Sequence, residues 1–138
     1  MTIPKVNHWT RQYVGEPYVP GENDCAALAV RVQREVFGRD IRLPGDRREG
    51  PFGSSAQIDA LADDYAVPVD RPTEGDAVLM RCRGRLSHVG VYCEIGGVAY
   101  VLHAMQAGPA AGGGSVCLHR LRDLPRYYLI AEGYYRWR

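Results

Sequence analysis

The sequence lacks several features that would each place it in a well-defined class of protein. Its net charge is only +1, from 17 basic and 16 acidic residues, which argues against a dedicated nucleic-acid binder. No apolar run approaches the roughly 20 residues of a membrane-spanning helix. The segment Met1 to Lys5 lacks the apolar stretch of a signal peptide. We therefore expect a protein that is cytoplasmic when made, has no membrane span and leaves the cell only within a larger assembly.

The sequence also lacks a recognisable metal or disulfide framework. There is no Cys-x-x-Cys pair among its four cysteines, which are Cys25, Cys82, Cys93 and Cys117. Cys82, His88, Cys93 and His103 are close in sequence and could ligate zinc, but their spacing fits no familiar structural zinc site. In a chain without an export signal the default is free thiols. We expect no metal and no other cofactor.

What the sequence does contain is typical of one α+β domain covering residues 1–138. Apolar residues recur at helical spacing in three segments of the first half, near residues 6–14, 25–37 and 54–65. Alternating apolar residues in the second half predict strands over residues 77–82, 87–95, 98–105 and 116–118, and within 127–137. Helices followed by strands predict N-terminal helices packed on a central antiparallel sheet.

Cys25 lies at the predicted start of the second helix, where Asn23 or Asp24 can cap the helix and Gly38 follows its end. The helix dipole and the free backbone N–H groups at such a position favour a thiolate, so we expect a lowered thiol pKa. The alternative is a buried structural cysteine, because Cys25 also lies on the apolar stripe of the helix.

Two histidines are predicted to share one face of a β-hairpin. Ile95-Gly96-Gly97-Val98 reads as a two-residue turn, which places Ile95 opposite Val98 and Gly90 opposite His103. His88 then lies diagonal to His103 on the same face, with Gly90 leaving open space beside them. This geometry would let His103 orient the ring of His88. The alternative is two unrelated histidines on one face, and His8 and His119 are expected to be surface residues.

Five segments of the chain resemble the NlpC-type cysteine peptidases of bacterial cell walls. They are, in order, residues 15–21 (GEPYVPG), 24–28 (DCAAL), 72–78 (PTEGDAV), 87–92 (SHVGVY) and 102–104 (LHA). Their order and spacing match the family from residue 15 to residue 104. The short single-domain form without a signal peptide most resembles the tail-assembly peptidases of phages and prophages. The resemblance implies a papain-like fold, with the cysteine-bearing helix packed on the sheet that bears the histidines.

The resemblance also implies a role for each matching residue. Cys25 is the nucleophile, His88 is the general base, and His103 orients His88. Tyr18 helps to hold the oxyanion, and Asp24 helps to read the amino end of the substrate. The chain departs from the family where Ala26-Ala27 replaces the usual Ser-Gly, which puts the recognition of the amino end in doubt.

The activity implied by this resemblance is hydrolysis of amide bonds in peptidoglycan stem peptides, with the bond between D-glutamate and the diamino acid as the suggested target. The implied partners are the wall peptide and phage tail proteins, with no nucleic acid. Two alternatives stay open: an amidase or acyltransferase of the same fold acting on another acyl substrate, or a structural tail component with a vestigial site. The Gly-rich segment Ala107 to Ser115 is predicted to be a mobile flap beside the site or a passive connection.

Overall fold

The computed structural model describes residues 8–42, 58, 61–106 and 114–138. In this part of the chain a six-stranded sheet has the strand order β1-β6-β2-β3-β4-β5, and every neighbouring pair is antiparallel. The strands are β1 (Ala66–Val69), β2 (Ala77–Cys82), β3 (Arg85–Ile95), β4 (Val98–Gln106), β5 (Gly114–Arg120) and β6 (Leu129–Trp137). The predicted α+β class with an antiparallel sheet is confirmed.

The principal helix, α1 (Cys25–Phe37), has the predicted bounds. Asp24 caps its start, because the side-chain Oδ1 accepts from the backbone N–H of Ala27 at 2.9 Å. Gly38 ends it in the left-handed conformation at φ 70°, a conformation that costs glycine little. The helix buries Leu28 and Val32 against the sheet. Burial of this stripe fixes the position of the helix start, and with it Cys25.

The other two predicted helices are shorter or lie outside the described residues. The first is a single 3-10 turn over Trp9–Gln12, since the N–H of Gly15 donates to the carbonyl of Val116 and draws the chain away from a helical path. Of the third, Ile58 is helical and Leu61–Tyr65 forms a π-helical turn, while residues 54–57 and 59–60 lie outside the described residues. None of the helices in the described segments is long and apolar enough to cross a membrane.

The β3–β4 hairpin has the predicted register. Ile95 lies opposite Val98 and Tyr92 lies opposite Val101. Gly96 and Gly97 form the turn at φ 60° and 78°, the positive angles that a tight hairpin of this kind requires. This register decides which side chains of β3 and β4 share a face, and it therefore sets the position of the two central histidines.

The sheet buries apolar side chains on both faces. The face that packs on α1, called here the α1 face, carries Val89, Val91, Leu102 and other apolar residues. The far face carries a smaller cluster, whose members are Val78, Met80, Tyr92, Val101, Leu124 and Leu129. His103 lies between Leu102 and Ala104, both on the α1 face, so strand alternation places its side chain on the far face. His88 lies opposite Met80 and shares the far face.

One strand and one helix were not predicted from the sequence. The strand is β1, and the helix is a 3-10 helix over Leu121–Tyr127 that covers part of the far face through Leu124. β5 also begins earlier than predicted, at Gly114. The remainder of the predicted flap, residues 107–113, lies outside the described residues.

Candidate active site

The thiol of Cys25 lies at the meeting point of the helix start and β3. Cys25 is the first residue of α1 and only 5% exposed. The backbone N–H of Val89 donates toward its sulfur, and so do the N–H groups of Ala26 and of Cys25 itself. The amide of Val89 belongs to the peptide bond that joins His88 to Val89. The fold therefore brings the thiol next to the backbone of the histidine predicted to act as its base.

The expectation of a lowered thiol pKa at Cys25 is wrong. Burial raises the pKa to about 11, and the negative charge of Asp24 adds to the effect. The three N–H groups around the sulfur act in the opposite direction, but they are outweighed by desolvation. At neutral pH the resting group is therefore a thiol, and it needs a neighbouring base to become a nucleophile.

Tyr18 and Asp24 flank the same helix start. The backbone N–H of Tyr18 donates to the carbonyl of Gly114 at 3.2 Å, which anchors this loop on the beginning of β5. Burial, with a smaller contribution from the charges that Cys25 and Asp24 can carry, raises the pKa of the Tyr18 hydroxyl to about 12. The phenol therefore stays protonated and can donate a hydrogen bond close to the sulfur.

Asp24 uses both carboxylate oxygens to hold the backbone. Oδ1 accepts from the N–H of Ala27 and Oδ2 accepts from the N–H of Gly21, both at 2.9 Å. These bonds close the loop before α1 and cap the helix. Asp24 thus has a structural role that the sequence resemblance did not supply, and its role in reading a substrate's amino end stays a prediction.

His88 and His103 form the hydrogen-bonded pair that the hairpin register predicts. Nε2 of His88 lies 2.8 Å from Nδ1 of His103, with the rings at 80°. Burial lowers the pKa of His88 to about 4 and holds that of His103 well below its usual range. Both rings are therefore neutral at pH 7, and a neutral imidazole is the form that can accept a proton.

A β-bulge lies directly before His88. Met80 faces His88 and the next residue of β2, Arg81, faces Leu86, so Ser87 is the extra residue of β3. Bulges bend a strand and redirect its side chains, and they occur often beside active sites. Here the bulge redirects the backbone at the residue that follows it, His88, whose peptide bond to Val89 approaches the thiol.

The space beside the histidines is filled, contrary to the prediction that Gly90 leaves it open. A Cβ atom on Gly90 would lie 2.3 Å from Cγ1 of Val101 and 3.1 Å from Cε of Met80. Glycine is required at this position because two neighbouring side chains already occupy the volume. His103 is fully buried, and desolvation is the main cause of the lowered pKa of both rings.

A third histidine extends the pair, and it was missed in the sequence. Nε2 of His103 lies 3.0 Å from Nδ1 of His119, which was expected to be a surface residue. The ring of His119 stacks on Tyr127, with centroids 3.9 Å apart and planes at 12°. The missing signal was the β4–β5 register, which places Val101 opposite His119 and His103 opposite Cys117. The segment between these strands is too long for a turn type to reveal that pairing.

The described residues that could hold a metal ion lie elsewhere. Three potential ligand atoms lie within 4.8 Å of one another: a ring nitrogen of His8, a carboxylate oxygen of Glu74 and the sulfur of Cys93. The Glu74 carboxylate already accepts from the indole N–H of Trp9 at 3.0 Å and from the backbone N–H of Glu94 at 2.9 Å. These hydrogen bonds give the cluster a structural role, because they connect the N-terminal 3-10 turn to β3.

The arrangement combines a protonated thiol, several N–H groups aimed at the sulfur, and a neutral imidazole on His88, whose following amide is one of those groups. A neutral imidazole that reaches a thiol can take its proton while the sulfur attacks an electrophilic carbon. Comparisons with protein-family models, with curated proteins and with solved structures return no match for this chain. The site's geometry and the residues themselves therefore carry the functional argument.

Proposed function

We propose that the chain is a thiol hydrolase of papain-like type that cleaves amide bonds in peptidoglycan stem peptides. The observation that carries the proposal is the hydrogen-bonded pair of the partly buried His88 and the buried His103, with 2.8 Å between ring nitrogens. The amide that follows His88 along β3, that of Val89, donates toward the Cys25 thiol. A cysteine hydrolase uses a nucleophile, a base that takes its proton and a group that orients the base.

In the proposed reaction, Sγ of Cys25 attacks the carbonyl carbon of the scissile amide while Nδ1 of His88 takes the thiol proton. The same proton then passes to the leaving amine, the C–N bond breaks, and an acyl-enzyme remains. Water hydrolyses the thioester with His88 again as base, which regenerates the thiol. Because the resting thiol and imidazole are both neutral, proton transfer accompanies the attack.

The negative charge that develops on the carbonyl oxygen needs hydrogen-bond donors. The N–H groups of Cys25 and Ala26 at the start of α1 and the protonated hydroxyl of Tyr18 are the proposed donors. The helix dipole, which burial overrides for the resting thiol, still favours a negative charge here in the transition state.

The substrate class comes from the resemblance of five ordered segments to cell-wall peptidases, and the partners implied with it are phage tail proteins. The test is digestion of purified peptidoglycan by the parent protein and by Cys25→Ala, followed by mass analysis of the fragments. We expect new peptide termini between D-glutamate and the diamino acid with the parent protein only. Release of other acyl fragments would favour an amidase or acyltransferase, and no release by either protein would favour a structural tail component.

A further inference from the structure

We propose that His119 is a positioning residue that sets the direction of the hydrogen-bond chain His88–His103–His119 and thereby keeps Nδ1 of His88 free of a proton. The inference deepens the proposed function, because it explains how His88 is held in the one tautomer that can act as a base. It concerns the proton arrangement of three rings, which can be measured without any substrate.

The two contacts of this hydrogen-bond chain restrict where its protons can lie. Nε2 of His88 meets Nδ1 of His103, and Nε2 of His103 meets Nδ1 of His119. A neutral imidazole has one N–H and one bare nitrogen. Both hydrogen bonds can form in only two ways, with all donors pointing toward His119 or all donors pointing toward His88.

Only one of these directions is useful for the proposed chemistry. When the donors point toward His119, His88 carries its proton on Nε2 and its Nδ1 is bare and can accept the thiol proton. When they point the other way, Nδ1 of His88 carries the proton and His88 cannot act as the base. The choice is made at the far end of the chain, by which nitrogen of His119 is protonated.

The contacts of His119 give the proton of the useful direction a defined place. Nδ1 is turned to His103, so Nε2 is the outer nitrogen, and a proton there leaves Nδ1 bare to accept from His103. The negative charge of Asp123 acts on this ring and raises its pKa, against the larger effect of burial. Asp123 is itself held by Arg120 at 2.7 Å.

The ring of His119 is also held in place. It stacks on Tyr127 with centroids 3.9 Å apart, and this contact resists the rotation that would exchange Nδ1 for a carbon. His119 comes from β5 and Tyr127 from the following 3-10 helix, so the orientation is fixed by two elements outside the β3–β4 hairpin.

The test compares two substitutions of nearly equal size, His119→Leu and His119→Asn. Both remove the ring that stacks on Tyr127, but only asparagine offers an oxygen near the position of Nδ1. The first measurement is the ¹⁵N NMR spectrum of the histidine rings at pH 7, which distinguishes the two tautomers. The second is the rate at which iodoacetamide alkylates Cys25, followed by mass spectrometry, and the third is kcat and KM for stem-peptide hydrolysis.

In the parent protein we expect His88 and His103 both protonated on Nε2. His119→Leu should mix the tautomers of His88 and slow both the alkylation of Cys25 and kcat on the order of 10-fold, with KM unchanged. His119→Asn should restore most of both rates. Restoration by asparagine separates an acceptor from a packing residue, which would fail equally with either substitution.

A parent spectrum with His88 protonated on Nδ1 would overturn the proposal, and this result needs no variant to fold. Equal behaviour of the leucine and asparagine variants would also overturn it. Failure of the proposed function has a different signature: the tautomers and the alkylation rates follow the expectation, but no stem peptide is cleaved.

Discussion

The two ends of the candidate site are built in different ways. The thiol end is local, because Tyr18, Asp24 and Cys25 lie within one loop and the first residue of α1. The imidazole end draws one histidine from each of three neighbouring strands, β3, β4 and β5. Local sequence signals predict the helix start at Cys25, and the family resemblance implies Tyr18, whereas the second end exists only once the sheet register is set. The ends can therefore be disabled separately.

The largest effect is expected from removing the thiol itself. Cys25→Ala should lower the rate of stem-peptide hydrolysis on the order of 10⁴-fold or more, because the covalent route is lost. Its midpoint of urea unfolding should stay close to that of the parent.

Cys93→Ala is the matched control, since this second thiol is fully buried on the α1 face of β3. It should cost about 1 kcal/mol of unfolding free energy and leave kcat unchanged. Equal loss of activity in both variants would show that Cys25 acts only as a core residue.

Removing the base should have a smaller but still large effect. His88→Asn should lower kcat by about 10²–10⁴-fold, the usual contribution of a general base, and the loss should shrink as the pH is raised toward the thiol pKa of about 11. The measurement is kcat against pH for both proteins. His8→Asn, at the contact with Glu74, is the control and should leave the profile unchanged. A pH-independent deficit for His88→Asn would contradict its role as base.

Another substitution alters the thiol end but leaves the sulfur in place. Tyr18→Phe keeps the packed ring and removes the hydroxyl, so kcat should fall about 10²-fold with KM unchanged if the hydroxyl holds the oxyanion. Tyr128→Phe, at a side chain 71% exposed, should have no effect on either constant. A rise in KM alone would assign Tyr18 to substrate binding instead.

The smallest expected effect is on the pH dependence of stability, which distinguishes the imidazole end from the thiol end. The native pKa of His88, about 4, lies below the ordinary value of 6.5, so between these values the unfolded state binds more protons than the native state. The free energy of unfolding should therefore fall as the pH drops from 6.5 to 4, by about 2 kcal/mol. Urea unfolding at several pH values measures this slope. His88→Asn should remove the part of this slope that His88 contributes, while His103 and His119 keep contributing, and Cys25→Ala should leave the slope unchanged.

The sequence predicts the thiol end and half of the imidazole end for physical reasons that can be named. The cap, the apolar stripe and Gly38 define α1, and the Gly96-Gly97 turn defines the register that joins His88 to His103. The pairing of His119 with His103 was not predicted from the sequence, because β4 ends at Gln106 and β5 begins only at Gly114, too far apart for a turn type to fix the register. The raised thiol pKa was not predicted either, since burial by packing outweighs the local effect of the helix start.

Strand β1 was not predicted from the sequence for a different reason. It contains Pro68, which argues against a strand because proline cannot donate to the ladder. The sheet accommodates it because β1 lies at the edge and pairs with β6 alone.

The pairing of the loop before α1 with β5 also has a consequence for the order of folding. Gly15 and Tyr18 donate to the carbonyls of Val116 and Gly114, and Val116 donates back to Glu16. About 100 residues separate these partners, so closing this contact is a late and entropically costly event. During synthesis the Tyr18 hydroxyl has no fixed place beside the thiol until β5 has left the ribosome. A nascent or truncated chain would hold its cysteine without Tyr18 fixed beside it, so the proposed activity is expected only after β5 has formed.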